Sequence, residues 1–424
     1  MSLWTSIPLA EACTQIDYGL TASASEKKIG PKFLRITDIV TGAIDWSSVP
    51  FTPSPDRVER YLLRADDIVV ARTGASTGAS AFVQSAPDAV FASYLVRIRA
   101  KEGFDPRFLY YQTKTPEYAQ HIYTVAFDKG AQPNASAKAL TAVELPFPPL
   151  AEQREIASIL GALDDKIELN RRMAATLEEM ARALYRSWFV DFDPVKAKAE
   201  GLAPAFMDEA TAALFPDRFG DDGLPEGWSQ VGLPEIATFL NGAALQKFPP
   251  AEGEESLPVI KIAELRNGVT SNSNRASANL PLKYRIENGD VLFSWSGSLL
   301  QKVWTDGPGA LNQHLFKVSS ARVPKWFHFF AVDQHMDEFR QIAQSKATTM
   351  GHIQRHHLDA ALVCVSDAAV MKGADQLIGG LFDRMVALDI ENRTLAALRD
   401  TLLPRLMSGE LRVGEARDQI EEVA

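Results

Sequence analysis

The chain has 424 residues, about three times the usual domain size, so two or three domains are expected. At 46% hydrophobic and 9% aromatic it carries enough apolar material for real cores, which excludes a disordered chain. No run approaches the roughly 18 apolar residues of a membrane span, the first residues lack the basic and apolar regions of a secretory signal, and two cysteines, Cys13 and Cys364, build neither a disulfide framework nor a cysteine-rich zinc site. A reducing, cytoplasmic compartment and no membrane partner follow.

The net charge of −10 is distributed unevenly. Residues 1–150 balance 15 basic against 15 acidic side chains, and residues 226–366 balance 13 against 13. The deficit sits in residues 151–225 (9 basic, 15 acidic) and 367–424 (7 basic, 11 acidic). Global charge therefore says little about any one face.

In chain order, residues 1–150 read as a first globular domain. Asp67–Ala71 is a β-rich run entering a Gly/Ser/Thr turn, and Phe108–Tyr118 carries aromatics at helical spacing. Residues 151–190 read as a long helix. Ile156, Leu160, Leu163, Ile167, Ala174, Leu177, Ala181 and Leu184 step by fours and threes, with Asn170 in the missing slot of the seam. From Glu152 to about Trp188 such a helix is roughly 55 Å long. Residues 191–225 read as a linker. Residues 226–366 read as a second globular domain, with a strand at Asp290–Ser294 and a helix at Trp326–Phe339. Residues 367–415 repeat the helical theme through Ile378, Leu381, Met385, Leu388, Leu395, Leu402 and Leu406, with Asn392 in the seam and Pro404 expected to kink the last turn. Residues 416–424 are a tail.

The second half repeats the first. Trp4 to Glu11 (WTSIPLAE) recurs as Trp228 to Glu235 (WSQVGLPE), and Asp67 to Gly74 (DIVVARTG) as Asp290 to Gly297 (DVLFSWSG). Phe33 to Asp38 matches Val259 to Glu264, Leu95 to Ile98 matches Leu315 to Val318, and Pro106 to Tyr111 matches Pro324 to Phe329. Offsets stay between 218 and 226. Order, spacing and residue class all agree, so the chain is read as a half-chain duplication. Asn170 and Asn392 lie 222 apart, which favours mutual packing across a pseudo-twofold axis, with the two helices antiparallel. The alternative is that each sits at a solvated edge.

No catalytic constellation emerges. A phosphate-binding Gly-x-x-x-x-Gly-Lys-Ser/Thr is absent, as is the Asn/Asp-Pro-Pro-Tyr/Phe of amino-methyltransferases. His352 and His356 have the i,i+4 spacing of a metal pair but lack the accompanying Glu, so surface histidines are the better reading. Asp191 and Asp193 precede Pro194 and read as helix-end residues. The chain reads as a non-enzyme without a metal site.

In place of a catalytic cluster there are two sets of loops rich in hydrogen-bonding side chains. The first holds Lys27, Lys28, Arg72, Thr73, Ser76, Tyr94, Lys129, Gln132, Asn134, Ser136 and Lys138. The second holds Gln246, Lys247, Trp295, Ser296, Asn312, Gln313, His314, Lys346, Thr348, Thr349, His352, Gln354 and Arg355. Such side chains reach base edges and phosphates, although most polar loops are simply solvated. Within the duplication the framework matches while the loops differ: Arg72 meets Trp295, and Tyr94 meets His314. Two similar domains with unlike loops suggest two similar ligands differing in detail.

Pro148 to Glu155 (PPLAEQRE) leading into a long helix resembles the central region of specificity subunits of Type I restriction–modification systems. So do Tyr185 to Val195 (YRSWFVDFDPV), Met207 to Glu209, and Leu224 to Trp228 (LPEGW). Leu398 to Leu411 (LRDTLLPRLMSGEL) is similar to that family's closing helix. Ala374-Asp375-Gln376 departs from the expected second Leu-x-Glu-Gln entry, which leaves the start of the last helix open.

The resemblance implies an α+β fold: two target recognition domains separated by two long helices that pair as an antiparallel coiled coil. It implies that each domain reads half of a split, asymmetric double-stranded DNA target, and it assigns base and phosphate contacts to the loops named above. Helix pairing would rest on Ile156, Leu160, Leu163, Ile167, Asn170, Leu177 and Leu184 against Leu381, Met385, Leu388, Asn392, Leu395 and Leu402. The implied partners are two methyltransferase subunits holding S-adenosylmethionine, and restriction subunits using ATP and Mg2+; no cofactor is expected in this chain. Lengthening both helices by a few residues should then add a base pair or so to the unspecified gap, at about 3.4 Å per base pair. A methylation-only system and a coiled-coil scaffold for protein ligands remain the alternative readings.

Overall fold

The computed structural model describes residues 4–40, 42–53, 56, 58–127, 133–345 and 351–421. The chain forms two compact units, Met1–Glu168 with Leu395–Ala424, and Leu169–Thr394. Each unit joins one sequence repeat to part of both long helices.

In the first unit, the all-buried run Asp67–Ala71 (DIVVA) supplies the β-branched side chains a central strand favours. It pairs antiparallel with Leu95–Ala100 on one side and Ser80–Val83 on the other, and Cys13–Tyr18 flanks Leu95–Ala100. Lys32–Leu34 runs parallel to Ala89–Phe91, and Thr5–Pro8 pairs with Glu144–Phe147.

The second unit repeats this topology by itself. Its four-stranded sheet has the order Thr238–Asn241, Leu315–Ser319, Val291–Ser294, Gln301–Val303. Ser256–Ile260 runs parallel to Gly309–Leu311, and Ser229–Gly232 pairs with Leu362–Val365. Even the register repeats: Ile68 faces Ile98 as Val291 faces Val318. The duplication read from the sequence is thus a duplication of strand order and pairing.

Two expected helices are each broken in two. Phe108–Tyr118 divides into Pro106–Gln112 and Pro116–Ile122, because Pro116 offers no N–H and Thr115 caps the second helix by accepting from Tyr118 N (3.3 Å). Trp326–Phe339 divides into Lys325–Asp333 and Met336–Ser345. At that break the His335 ring bonds the Leu362 carbonyl (3.0 Å) and tethers the turn to a neighbouring strand.

The central helix, Leu150–Phe189, spans 40 residues. Gln153 fixes its start, donating to the Pro148 carbonyl (2.8 Å) and accepting from Asp105 N (3.0 Å). Gly161 leaves room for Arg107, which donates to the Gly161 carbonyl (3.1 Å) and pairs with Asp165 (2.6 Å). The other long helix begins earlier than its apolar seam suggests. Asp367 caps Ala368–Ala374 by accepting from Ala369 N (2.7 Å) and Val370 N (3.0 Å). A π turn over Asp375–Gly379 leads into Gly380–Met407. Trp326 wedges there, donating to Asp375 (2.8 Å) and packing on Gly379. The helix runs through Pro404, which offers no N–H to the Asp400 carbonyl, and it ends at Met407.

The two helices meet inside each unit. In the first, Ile156, Leu160 and Leu163 are buried in one cluster with Leu402 and Leu406, Leu395 packs against it, and Arg399 pairs with Asp164 (2.7 Å). Ile167 is buried as well. In the second, Met385 and Leu388 are buried with Ala174, Ala181 and Tyr185, and Leu177, Leu184 and Leu381 pack against them. Tyr185 and Phe382 both lie on Phe330, whereas Asp389 lies in the field of Glu178 and Arg171, so the helices run antiparallel. Asn170 and Asn392 are both buried, yet no hydrogen bond joins them. Neither amide atom of Asn170 has a partner, nor does Asn392 Oδ1.

The stretch read as a linker is more ordered than that word implies. It folds into the helices Asp193–Ala199 and Glu209–Leu214 and lends Phe192, Phe215 and Phe219 to an aromatic cluster with Trp188, Phe189 and Trp228.

Candidate nucleic-acid interface

The sheet topology delivers one surface cluster per unit at equivalent places. In the first unit, Thr73 bridges Asn134, Gly74 N donates to the Pro133 carbonyl (2.9 Å), and Ala135 N donates to the Arg72 carbonyl (2.9 Å). In the second, Ser296 bridges His352, Gly297 N donates to the Gly351 carbonyl (2.8 Å), and Ile353 N donates to the Trp295 carbonyl (3.0 Å). The parallel bridge of Leu20 with Ala92 likewise recurs as Ala243 with Asn312. Backbone scaffolding is therefore held constant where the side chains differ.

On the first scaffold, Arg72 donates from Nη2 to Asn134 Oδ1 (3.2 Å) and from Nε to the Ala135 carbonyl (3.3 Å). Its guanidinium lies 5.0 Å from the Tyr18 ring centroid, a cation–π distance. Tyr18 is anchored in turn, its hydroxyl accepting from Ala137 N (2.9 Å). Tyr94 is 60% exposed beside this group, and its carbonyl accepts from Arg72 N (3.0 Å). Ser76 lies in the Gly74–Gly78 turn. Ser136 accepts from Ala139 N (3.1 Å) to cap Ala137–Leu140, on which Lys138 is exposed.

On the second scaffold, Trp295 donates from its indole to Asn241 Oδ1 (3.1 Å) and packs against His314 and His352, at 6.0 and 6.3 Å between centroids. Ser296 bonds His314 Nδ1 (3.1 Å), and Asn312 donates to Gln313 Oε1 (3.0 Å). Gln354 N donates to His357 Nδ1 (2.9 Å) at the start of Arg355–Ala360, so that histidine is spent on capping. Among the described residues no group of His, Cys, Asp and Glu is arranged to hold a metal ion. Asp191 pairs with Arg186 (3.0 Å) and Asp193 accepts from Ser187 (2.8 Å).

Lys27 and Lys28 are exposed on the loop that follows Gly19, and Gln246 and Lys247 are exposed on the corresponding one-turn helix. Lys129, Gln132, Lys346, Thr348 and Thr349 lie outside the described residues.

Tyr18 and Asn241 were missed by the sequence reading. They occupy the same place, each ending the first strand of its sheet and each followed by a glycine. A Cβ on Gly19 would lie 2.2 Å from the Ala92 carbonyl, and one on Gly242 2.2 Å from the Asn312 carbonyl. The Tyr-Gly and Asn-Gly pairs at an offset of 223 were the available signal.

Comparison with known proteins bears on the family and the fold. Residues 22–179 match the family model of the Type I restriction modification DNA specificity domain. The HindI specificity subunit of Haemophilus influenzae is 24% identical over 72% of this chain and 77% of its own length. The MjaIX specificity subunit of Methanocaldococcus jannaschii is 25% identical over 74% and 71%. A crystal structure of the Type I restriction–modification S subunit from M. genitalium shares the fold, with a TM-score of 0.54, 16% identity and 96% coverage of both chains. No described helix is long and apolar enough to cross a membrane. Across these comparisons the chain is similar to specificity subunits of Type I restriction enzymes.

Proposed function

We propose that this specificity subunit reads a bipartite, asymmetric double-stranded DNA target, one half through the loops of each unit. The single observation carrying this reading is the repeated backbone scaffold, on which Arg72, Thr73 and Asn134 in one unit correspond to Trp295, Ser296 and His352 in the other. Equal scaffolds with unequal side chains are what two reading heads for two different half-targets require. Arg, Asn and His side chains supply base-edge contacts, and lysines such as Lys27, Lys28 and Lys247 supply phosphate contacts. The paired helices form the platform on which two methyltransferase subunits dock. S-adenosylmethionine is held in those subunits, and ATP and Mg2+ in the restriction subunits that join them.

The test is to co-express the chain with a cognate methyltransferase subunit and map methylated adenines across the host genome by single-molecule sequencing. A split motif that depends on this subunit is expected. Exchanging residues 226–366 for another recognition segment should change one half of the motif and leave the other. An assembled complex that produces no new methylation would move the reading to a protein-binding scaffold.

A further inference from the structure

Three positions are equivalent in the two units and joined through the middle one: Arg72 contacts Tyr18 and Asn134 in the first, and Trp295 contacts Asn241 and His352 in the second. All three differ between units although the backbone bonds around them repeat. Tyr18 and Asn241 come from a different strand and loop than the other members, so each trio is assembled only by the fold.

We propose that this trio is the specificity-determining element of each unit, and that in the first unit Arg72 reads a guanine from a position fixed by Tyr18 and Asn134. The proposal rests on the reading of these loops as a DNA interface. A guanidinium has five N–H donors. Arg72 directs its Nε–H to the Ala135 carbonyl and one Nη2–H to Asn134 Oδ1. Among the described residues no hydrogen bond uses Nη1 or the second Nη2–H, which leaves the far edge of the guanidinium for a ligand. Two parallel donors at that end match the O6 and N7 acceptors of guanine in the major groove. Stacking on Tyr18 and the bond to Asn134 fix the plane of the fork before DNA arrives, which reduces the ordering cost of a bidentate contact.

The second unit cannot read in this way. Its equivalent of Arg72 is Trp295, whose only donor is committed to Asn241. The half-target of the second unit therefore lacks a guanine fixed by a guanidinium at the corresponding place.

The experiment uses the full complex of this chain with its methyltransferase partner, and host genomic DNA as the probe. Wild-type methylation should require guanine at one position of the half-target assigned to residues 1–150. In Arg72→Gln and Arg72→Ala that requirement should relax by about ten- to a hundred-fold, with every other position and the second half-target unchanged. Tyr18→Leu should relax the same position less, and Tyr18→Phe should keep the ring beneath the guanidinium and stay near wild type at that position. Uniform weakening with an unchanged motif would overturn the proposal by making Arg72 a phosphate contact. An unchanged motif at unchanged strength, from complexes that assemble normally, would overturn it too. The exchange of residues 226–366 reports separately on whether the units read DNA at all.

Discussion

Gly242, like Gly19 in the first unit, sits at a close backbone approach beside its trio. A Cβ on it would lie 2.2 Å from the Asn312 carbonyl oxygen and 2.6 Å from that of Leu311. Carbon–oxygen contacts settle near about 3.3 Å, so Gly242→Ala must part the two segments by roughly 1 Å. The bonds from Gly242 N to the Leu315 carbonyl (3.0 Å) and from Ala243 N to the Leu311 carbonyl (3.1 Å) span the same gap. Losing both costs about 1–3 kcal/mol, and overpacking adds about 1–3 kcal/mol. The expected destabilisation is therefore about 2–6 kcal/mol, which for a unit of this size lowers its melting temperature by roughly 5–20 °C. Gly380→Ala is the control, because its Cβ would meet nothing within 4 Å and its backbone is helical at φ −60°. It should gain up to about 1 kcal/mol. Calorimetry of the full chain resolves the two cases. A Gly242→Ala chain melting within about 2 °C of wild type would mean the strand end yields far more easily than its packing implies.

Asn170 lies fully buried in an apolar seam with both amide atoms unpaired, so Asn170→Leu should stabilise the second unit by about 1–3 kcal/mol, read from the denaturant midpoint. Loss of stability on that change would instead assign the amide a register role that the apolar side chain cannot fill. Burial, with Lys325 nearby, lowers the His328 pKa from 6.5 to about 4. A depressed histidine must be neutral to fold, so its contribution is complete above pH 6.5 and is lost as the pH falls towards 4. The loss is at most about 3 kcal/mol, and in a pH series of urea melts His328→Phe should flatten that segment of the curve.

The duplication and both long helices could be read from the chain because they rest on periodicity and on matching offsets, which survive without any knowledge of packing. The helix breaks could not, since they depend on tethers such as His335 to the Leu362 carbonyl and on the Thr115 cap. Gly161 lies within the heptad run, and only the fold reveals Arg107 lying against it. Residues 191–225 looked like a linker because Phe192, Phe215 and Phe219 have no helical period of their own; they pack in one cluster with Trp188 and Trp228 from flanking segments. Tyr18 and Asn241 escaped for a related reason. Each sits at a strand end, where alternation no longer says which way a side chain points.

Framework and proposed reading head are also separated energetically. Arg97 is 1% exposed and pairs with Asp17 (2.6 Å) while donating to the carbonyls of Leu62 (2.9 Å) and Arg60 (3.3 Å). Its equivalent, Lys317, pairs with Asp290 (2.7 Å) and donates to the Arg285 carbonyl (3.1 Å), the position that matches Leu62. A cation tying strand to loop is thus kept in both units, whereas the trio above it is wholly exchanged. Arg97→Ala would take this donor from the Asp17 carboxylate and the Arg60 carbonyl and leave the Leu62 carbonyl the longer bond from Arg99 (3.3 Å), at a cost of about 3–5 kcal/mol. Arg72→Ala removes a partly exposed side chain with two long hydrogen bonds and one ring contact, a smaller change of about 1 kcal/mol. Denaturant midpoints should therefore fall well for Arg97→Ala and only slightly for Arg72→Ala, while the methylated motif should hold for the first and change for the second. If Arg72→Ala moved both readouts together, the reading side chains would be part of the core, and one scaffold could not have carried two unlike sets of them.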